Sequence, residues 1–176
     1  MGKVLVIDDE TIISDVIGDY FRDSLGFVVE CAHSGAAAAA LLSRYRFDLA
    51  VIDATVGGVS GLELARLAAN EDTPVLLISD QPETAFALHR FDFPHLPKPF
   101  TLARLRIEAA RVMAEHKANV ARVKASMVRM EANRRALAIA LAESDRLLDV
   151  ARRGLPLMGR AAEPRSAAGW MSGLLA

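Results

Sequence analysis

Two rhythms of apolar and polar residues divide the first hundred positions. Short, nearly solid apolar runs read as buried strands: KVLVID at 3–8, FVVECA at 27–32, FDLAVID at 47–53 and TPVLLIS at 73–79. The proline-bearing FDFPHLP at 91–97 reads as a short fifth strand. Between these runs, apolar side chains return at helical spacing. Ile12, Ile13, Val16, Ile17, Tyr20 and Phe21 predict a helix capped by Thr11 and stopped by Gly26. Residues 34–45 (SGAAAAALLSRY), 61–70 (GLELARLAAN) and 82–90 (PETAFALHR) predict three more, and VGGVSG at 56–61 predicts a flexible loop. Strands alternating with helices in this way predict an α/β fold: a doubly wound, five-stranded parallel sheet with helices on both faces.

The rhythm changes at Thr101. From there to Arg153 the chain has neither Gly nor Pro, and Ala, Leu, Arg, Glu and Met dominate. An unbroken helix over this stretch would be about 80 Å long at ~1.5 Å per residue. Val120, Val123, Met127, Met130, Leu137, Leu141, Leu148 and Ala151 alternate at spacings of three and four, the seam of a coiled coil. Arg134 and Ser144 interrupt that seam, and a break near Asn133 would make a helical hairpin instead. A stripe of this length outreaches a domain of ~25–30 Å and calls for a second copy, a second helix or another partner. After Gly154 the chain turns to Gly, Pro, Ser and Ala, which predicts a flexible tail with a small apolar cluster of Trp170, Met171, Leu174 and Leu175. The organisation expected is a domain at 1–112, a helical extension at 113–153 continuing the fifth helix, and a tail at 154–176.

Charge sharpens this division. Residues 1–100 hold 7 Lys and Arg against 15 Asp and Glu, whereas residues 101–153 hold 12 against 6. An acidic half joined to a basic one implies two different jobs, or two halves that touch. The lone Cys31 excludes a disulfide framework and sits in a strand-like run, where it reads as a small core residue. No apolar run is long enough to span a membrane and the N-terminus lacks a signal-peptide layout, so a soluble, cytoplasmic protein without membrane contact is expected.

The residues with chemical potential gather where the predicted strands end: Asp8 and Asp9 after the first, Asp53 after the third, Ser79 after the fourth and Lys98 after the fifth. In open parallel sheets that rim is where ligands bind. Adjacent carboxylates repel, so they either raise a pKa or recruit a cation, and an all-oxygen set suits Mg²⁺. Asp53 can act as a nucleophile toward a phosphoryl donor, with Lys98, the Ser79 hydroxyl and a metal ion neutralising the transferring oxygens.

The segments VLVIDDE, LAVIDATVGGVSGLEL, VLLIS and LPKPF together resemble the receiver domain of two-component response regulators, over about residues 1–112. The resemblance implies Asp53 as phosphoacceptor, Asp9 and Asp53 as direct Mg²⁺ ligands and Asp8 as a ligand acting mainly through water. It further implies the Thr55 backbone carbonyl as another ligand, with Ser79 and Lys98 contacting the phosphoryl group. The donor implied is a phosphohistidine on a sensor histidine kinase or phosphotransfer protein.

Three departures from the family pattern stand out. Val56 and Gly57 replace the usual Met-Pro, so a more mobile loop is expected. The interval from Ser79 to Lys98 is about three residues short, which clips the intervening helix. His95 stands where the family has its switching aromatic, and a histidine there could respond to pH. Signalling is expected through homodimerisation of residues 101–153, without enzymatic activity on a separate substrate. The alternative is a nucleic-acid-binding regulator whose basic helix docks DNA or RNA; against it, aromatics are absent and the charges are spread. His116 could itself accept a phosphoryl group but lacks a phosphotransfer pattern and reads as structural or solvent-facing. His33 and His89 show no partner pattern, and Glu10 reads as the start of the first helix.

Overall fold

The computed structural model describes residues 1–80 and 93–154. A parallel sheet of five strands is formed by β1 (Lys3–Ile7), β2 (Val28–Ala32), β3 (Leu49–Asp53), β6 (Val75–Ser79) and β7 (His95–Pro97), in the order β2-β1-β3-β6-β7. Two short strands, β4 (Thr55–Val56) and β5 (Val59–Ser60), pair antiparallel beside it. The helices are α1 (Thr11–Asp19), continued by a π-helical turn at Tyr20–Ser24, then α2 (Gly35–Arg44), α3 (Gly61–Asn70) and α4 (Leu102–Gly154). The helix expected at 82–90, with His89, and the tail at 155–176, with Trp170, lie outside the described residues.

Strands β1, β3 and β6 are apolar on both faces because both faces are covered. Leu5, Ile7, Ala50, Ile52 and Leu77 pack with Ala38 and Leu42 of α2 and with Leu64, Ala65 and Ala68 of α3. Val4, Val6, Leu49, Val51, Leu76 and Ile78 meet Ile17 of α1, Phe21 of the π-helical turn, and Leu105, Ala109 and Val112 of α4. The alternation of side chains along each strand deals successive residues to these two cores. Because β1 is followed by β2 on one side and by β3 on the other, the sheet's switch point falls between β1 and β3. That crevice, at the carboxyl ends of the strands, is where this class of fold leaves room for a ligand.

Several sequence-based expectations change. Thr11 is the first residue of α1 rather than its cap; Glu10 holds the cap position with an extended backbone and makes no side-chain cap bond. Ser34 does cap α2, accepting from the Ala37 N–H at 3.2 Å. The VGGVSG stretch is a tight hairpin instead of an irregular loop. Thr55 pairs with Ser60 and Val56 with Val59, while Gly57 and Gly58 turn the chain at φ +55° and +80°. Those left-handed positions are open to glycine and strained for other residues. Val56 pins the hairpin by complete burial in the core. Of the two arrangements open for the long helix, the continuous one is found: α4 runs through Asn133 without the hairpin break.

The chain divides into two units, Met1–Val123 and Lys124–Ala176. In the first, α4 contributes the buried Leu105, Ala109 and Val112. In the second, every described residue of α4 is exposed, including Met127, Met130, Leu137, Leu141 and Leu148. Among the described residues no helix is long and apolar enough to cross a membrane.

Gly61 opens α3 directly beneath β3. A Cβ there would lie 2.0 Å from the Asp53 carbonyl oxygen and 2.9 Å from the Ala54 Cα, both of them backbone. Gly61→Ala is therefore expected to destabilise by about 3 kcal/mol or more, seen as a fall in Tm of roughly 8 °C or more. A Tm within about 2 °C of wild type would show that the backbone yields there.

Candidate phosphoacceptor site

Strand register brings the acids together. Ile7 is level with Ile52, so the next residues, Asp8 and Asp53, leave adjacent strands side by side; Ser79 is level with Pro97, which puts Lys98 one residue beyond it. Carboxylate oxygens of Asp8, Asp9 and Asp53 all lie within 4.8 Å of one another. Asp8 and Ser79 are buried, Asp53 and Lys98 half-buried, and Asp9 exposed. The structure thus assembles Asp8, Asp9, Asp53, Ser79 and Lys98 at one end of the sheet. Thr55 follows Asp53 by two residues, in β4.

Lys98 holds the centre. Its Nζ lies 2.9 Å from Asp53 Oδ1 and 3.4 Å from Asp8 Oδ2. Its own backbone N–H donates to the Ser79 carbonyl at 2.6 Å, tying β7's end to β6's. Burial alone would pull the ammonium's pKa down, but the hydrogen bond and charge of Asp53, then those of Asp8, outweigh it and hold the pKa above its usual value. Lys98 therefore stays charged throughout the neutral range. Asp8 shows the opposite balance. Burial pushes its pKa up, and the Glu10 N–H and the Lys98 ammonium only partly offset this.

Three backbone amides escaped the sequence reading, which sees side-chain types and not amide directions. The Glu10 N–H donates to Asp8 Oδ1 at 2.9 Å, the Thr55 N–H to Asp53 Oδ2 at 3.3 Å, and the Gly57 N–H to Asp9 Oδ2 at 2.9 Å. The last contact depends on the hairpin turn, so the Gly57 of the unusual loop steers a candidate ligand. His33 is an exposed loop residue, as its lack of a sequence pattern implies, yet the fold gives it two partners. Its Nδ1 lies 3.2 Å from the Asp8 carbonyl and 3.3 Å from Ser14 Oγ. The Asp8 carbonyl can only accept, so a proton on Nδ1 satisfies it, while Ser14 Oγ is also within reach of the Thr11 carbonyl. His116 is half-buried and faces Asp72, 3.6 Å away, which gives it a structural partner remote from the acids. Cys31, half-buried against the Ser14 carbonyl, has its thiol pKa raised by burial, in keeping with a packing residue.

The donor set fits a hard divalent cation: three carboxylates within reach of one another, graded from buried to exposed, leaving a side open to water. The buried Asp8 carboxylate carries a stability consequence whose sign is fixed. A raised folded-state pKa favours the protonated form, so the penalty is absent at acid pH and grows as pH rises through that pKa. Asp8→Asn should raise Tm at pH 7 without divalent cation by about 3 °C, an advantage that shrinks on acidification. Mg²⁺ should raise the Tm of wild type more than that of the variant. A variant less stable than wild type at neutral pH without Mg²⁺ would contradict this electrostatic reading.

Comparison with known proteins agrees with the geometry. The profile of the response regulator receiver domain matches residues 4–110. The transcriptional regulatory protein CrdR of Helicobacter pylori is 30% identical over 115 residues, 62% of this chain and 54% of that protein. The response regulator MprA of Mycobacterium avium is 28% identical over 155 residues, 84% of this chain and 60% of its own length. The chain thus spans about half to three-fifths of these relatives. The receiver domain of the Francisella response regulator 1452 superposes with a TM-score of 0.58 at 28% identity, covering 65% of this chain and 98% of that one. A buried acid at the end of β1, an acid partner at the end of β3 and a lysine bridging them sit on the matching fold, and the chain belongs to the response regulator receiver domain family.

Proposed function

We propose that this chain is a phosphorylatable response regulator of a two-component phosphorelay, with a receiver at 1–112 and a helical extension at 113–153. Asp53 accepts a phosphoryl group from a phosphohistidine on a sensor histidine kinase or phosphotransfer protein. The observation that carries this reading is the Lys98 ammonium set between Asp53 and Asp8 at 2.9 and 3.4 Å. A carboxylate oxygen of Asp53 attacks phosphorus, the P–N bond breaks, and the imidazole nitrogen leaves with the bonding electrons. Lys98, kept protonated by its carboxylate neighbours, exchanges its contact with Asp53 for one with a phosphoryl oxygen. The Ser79 hydroxyl, at the end of the neighbouring strand, donates to another. Asp8, Asp9, Asp53 and the Thr55 carbonyl are the residues that would hold Mg²⁺, which when bound neutralises charge on the phosphoryl oxygens.

The output in this reading is homodimerisation through α4. The exposed Met127, Met130, Leu137, Leu141 and Leu148 recur at coiled-coil spacing and have no cover within the described chain. Several of the helix's basic residues are already engaged with acids on the same helix: Arg104 with Glu108, Arg111 with Glu108 and Glu115, and Arg135 with Glu131. That leaves less free charge for nucleic acid and favours a protein partner.

Incubation with Mg²⁺ and acetyl phosphate should add one phosphoryl group to the intact protein by mass spectrometry, and Asp53→Asn should abolish the adduct while keeping the wild-type circular dichroism. An unmodified wild type, or an adduct retained in Asp53→Asn, would refute the assignment. Separately, sedimentation equilibrium should show a dimer that Leu141→Glu converts to monomer.

A further inference from the structure

From the second unit of the chain we infer the direction of that pairing: the extension binds a second copy of itself antiparallel, with residues i and j on the two helices level where i plus j is about 271. The inference rests on the self-association proposed above and goes beyond it in orientation and register.

The seam's own interruptions argue for this. Met127, Arg134, Leu141 and Leu148 form one of its two alternating rows; Met130, Leu137 and Ser144 form the other. In a parallel, in-register pair each residue meets its own copy, so two Arg134 guanidiniums share one buried layer and two Ser144 hydroxyls another. Burying like charges face to face opposes association. The antiparallel register removes both coincidences, because each row meets the other. Arg134 lies level with the partner's Leu137, Met130 with the partner's Leu141, and Met127 with the partner's Ser144. The long stem of an arginine covers a leucine while its head reaches the rim.

Charges flanking the seam choose the same arrangement. Lys124 and Asp145 both lie on the stripe that follows the seam on one side, and among the described residues neither makes an ion pair. In the antiparallel register Lys124 of each chain comes level with Asp145 of the other, making two symmetric pairs. Sliding one helix by a heptad in either direction sets Glu131 against itself, or Glu131 against Asp145 and Lys124 against Arg152. A parallel pair brings no opposite charges together across this flank. Segment 124–135 is basic apart from Glu131, and 143–149 is acidic apart from Arg146, so the ends of the paired stretch are complementary only head to tail.

Cysteine cross-linking in full-length protein carrying Cys31→Ala tests this. Met130→Cys and Leu141→Cys chains are prepared separately, mixed, allowed to exchange and oxidised mildly. The expected result is a mixed disulfide that forms roughly tenfold faster than the homodisulfide of either variant alone. A homodisulfide of Met130→Cys that forms as fast as the mixed one would overturn the antiparallel order while leaving self-association intact. Monomeric wild-type protein by sedimentation would remove the self-association reading, and this inference with it. In parallel, Lys124→Asp and Asp145→Lys should each weaken the dimer roughly tenfold, and the double exchange should restore it. A double variant as weak as either single one would refute the register.

Discussion

The site depends on one ammonium group. Asp8 and Asp53 emerge side by side from β1 and β3 because the two strands are in parallel register, and nothing in that arrangement relieves their repulsion. Lys98, delivered from the end of β7, lies within reach of both. Each partner then alters the others. Asp53 and Asp8 hold the lysine charged against its burial, and the lysine in turn moderates the raised pKa of Asp8. The residual excess of negative charge, with Asp9 at the open side, is what a divalent cation would neutralise. Among the described residues one lysine stands against three carboxylates, a charge balance that leaves a divalent cation something to neutralise.

The surrounding fold positions each carboxylate with a backbone amide as well as with side chains. Amides of Glu10, Thr55 and Gly57 each fix one carboxylate. The Gly57–Gly58 turn aims the third of these, and the buried Val56 prevents the hairpin from swinging away. Gly61 lets α3 begin hard against the Asp53–Ala54 backbone, its own N–H donating to the Ala54 carbonyl at 2.8 Å. His33 adds a brace, its Nδ1 lying within hydrogen-bond distance of the Asp8 carbonyl and of Ser14 Oγ in α1. Elements far apart in sequence thereby converge on the three aspartates Asp8, Asp9 and Asp53.

What could be read from the sequence follows from how local each signal is. Solid apolar runs located the strands to within a few residues, since burial on both faces leaves little room for polar residues. The end-of-strand positions of Asp8, Asp53, Ser79 and Lys98 were visible because the doubly wound topology puts all parallel strand ends on one edge. The hairpin at 55–60 was hidden: its strands are only two residues long, too short for any period, and Gly-Gly fits a flexible loop as well as a tight turn. His33 was hidden because its partners, a carbonyl and a serine, come from β1's end and from α1, and no spacing in the chain announces them. Thr11 opens α1 instead of capping it, because a hydroxyl residue near a helix start is a cap in one register and an ordinary first-turn residue in the next.

The central claim is that Asp53 is the acceptor in a pocket that the acids and Lys98 build together. A crystal structure of the full chain grown with Mg²⁺ and trifluoroberyllate, a phosphoryl mimic, tests it most directly. The account predicts beryllium bonded to an Asp53 carboxylate oxygen, the metal among Asp8, Asp9, Asp53 and the Thr55 carbonyl, and Lys98 and Ser79 on the fluorines. Mg²⁺ bound elsewhere, or Asp53 left unmodified with Lys98 still bridging it to Asp8, would contradict it.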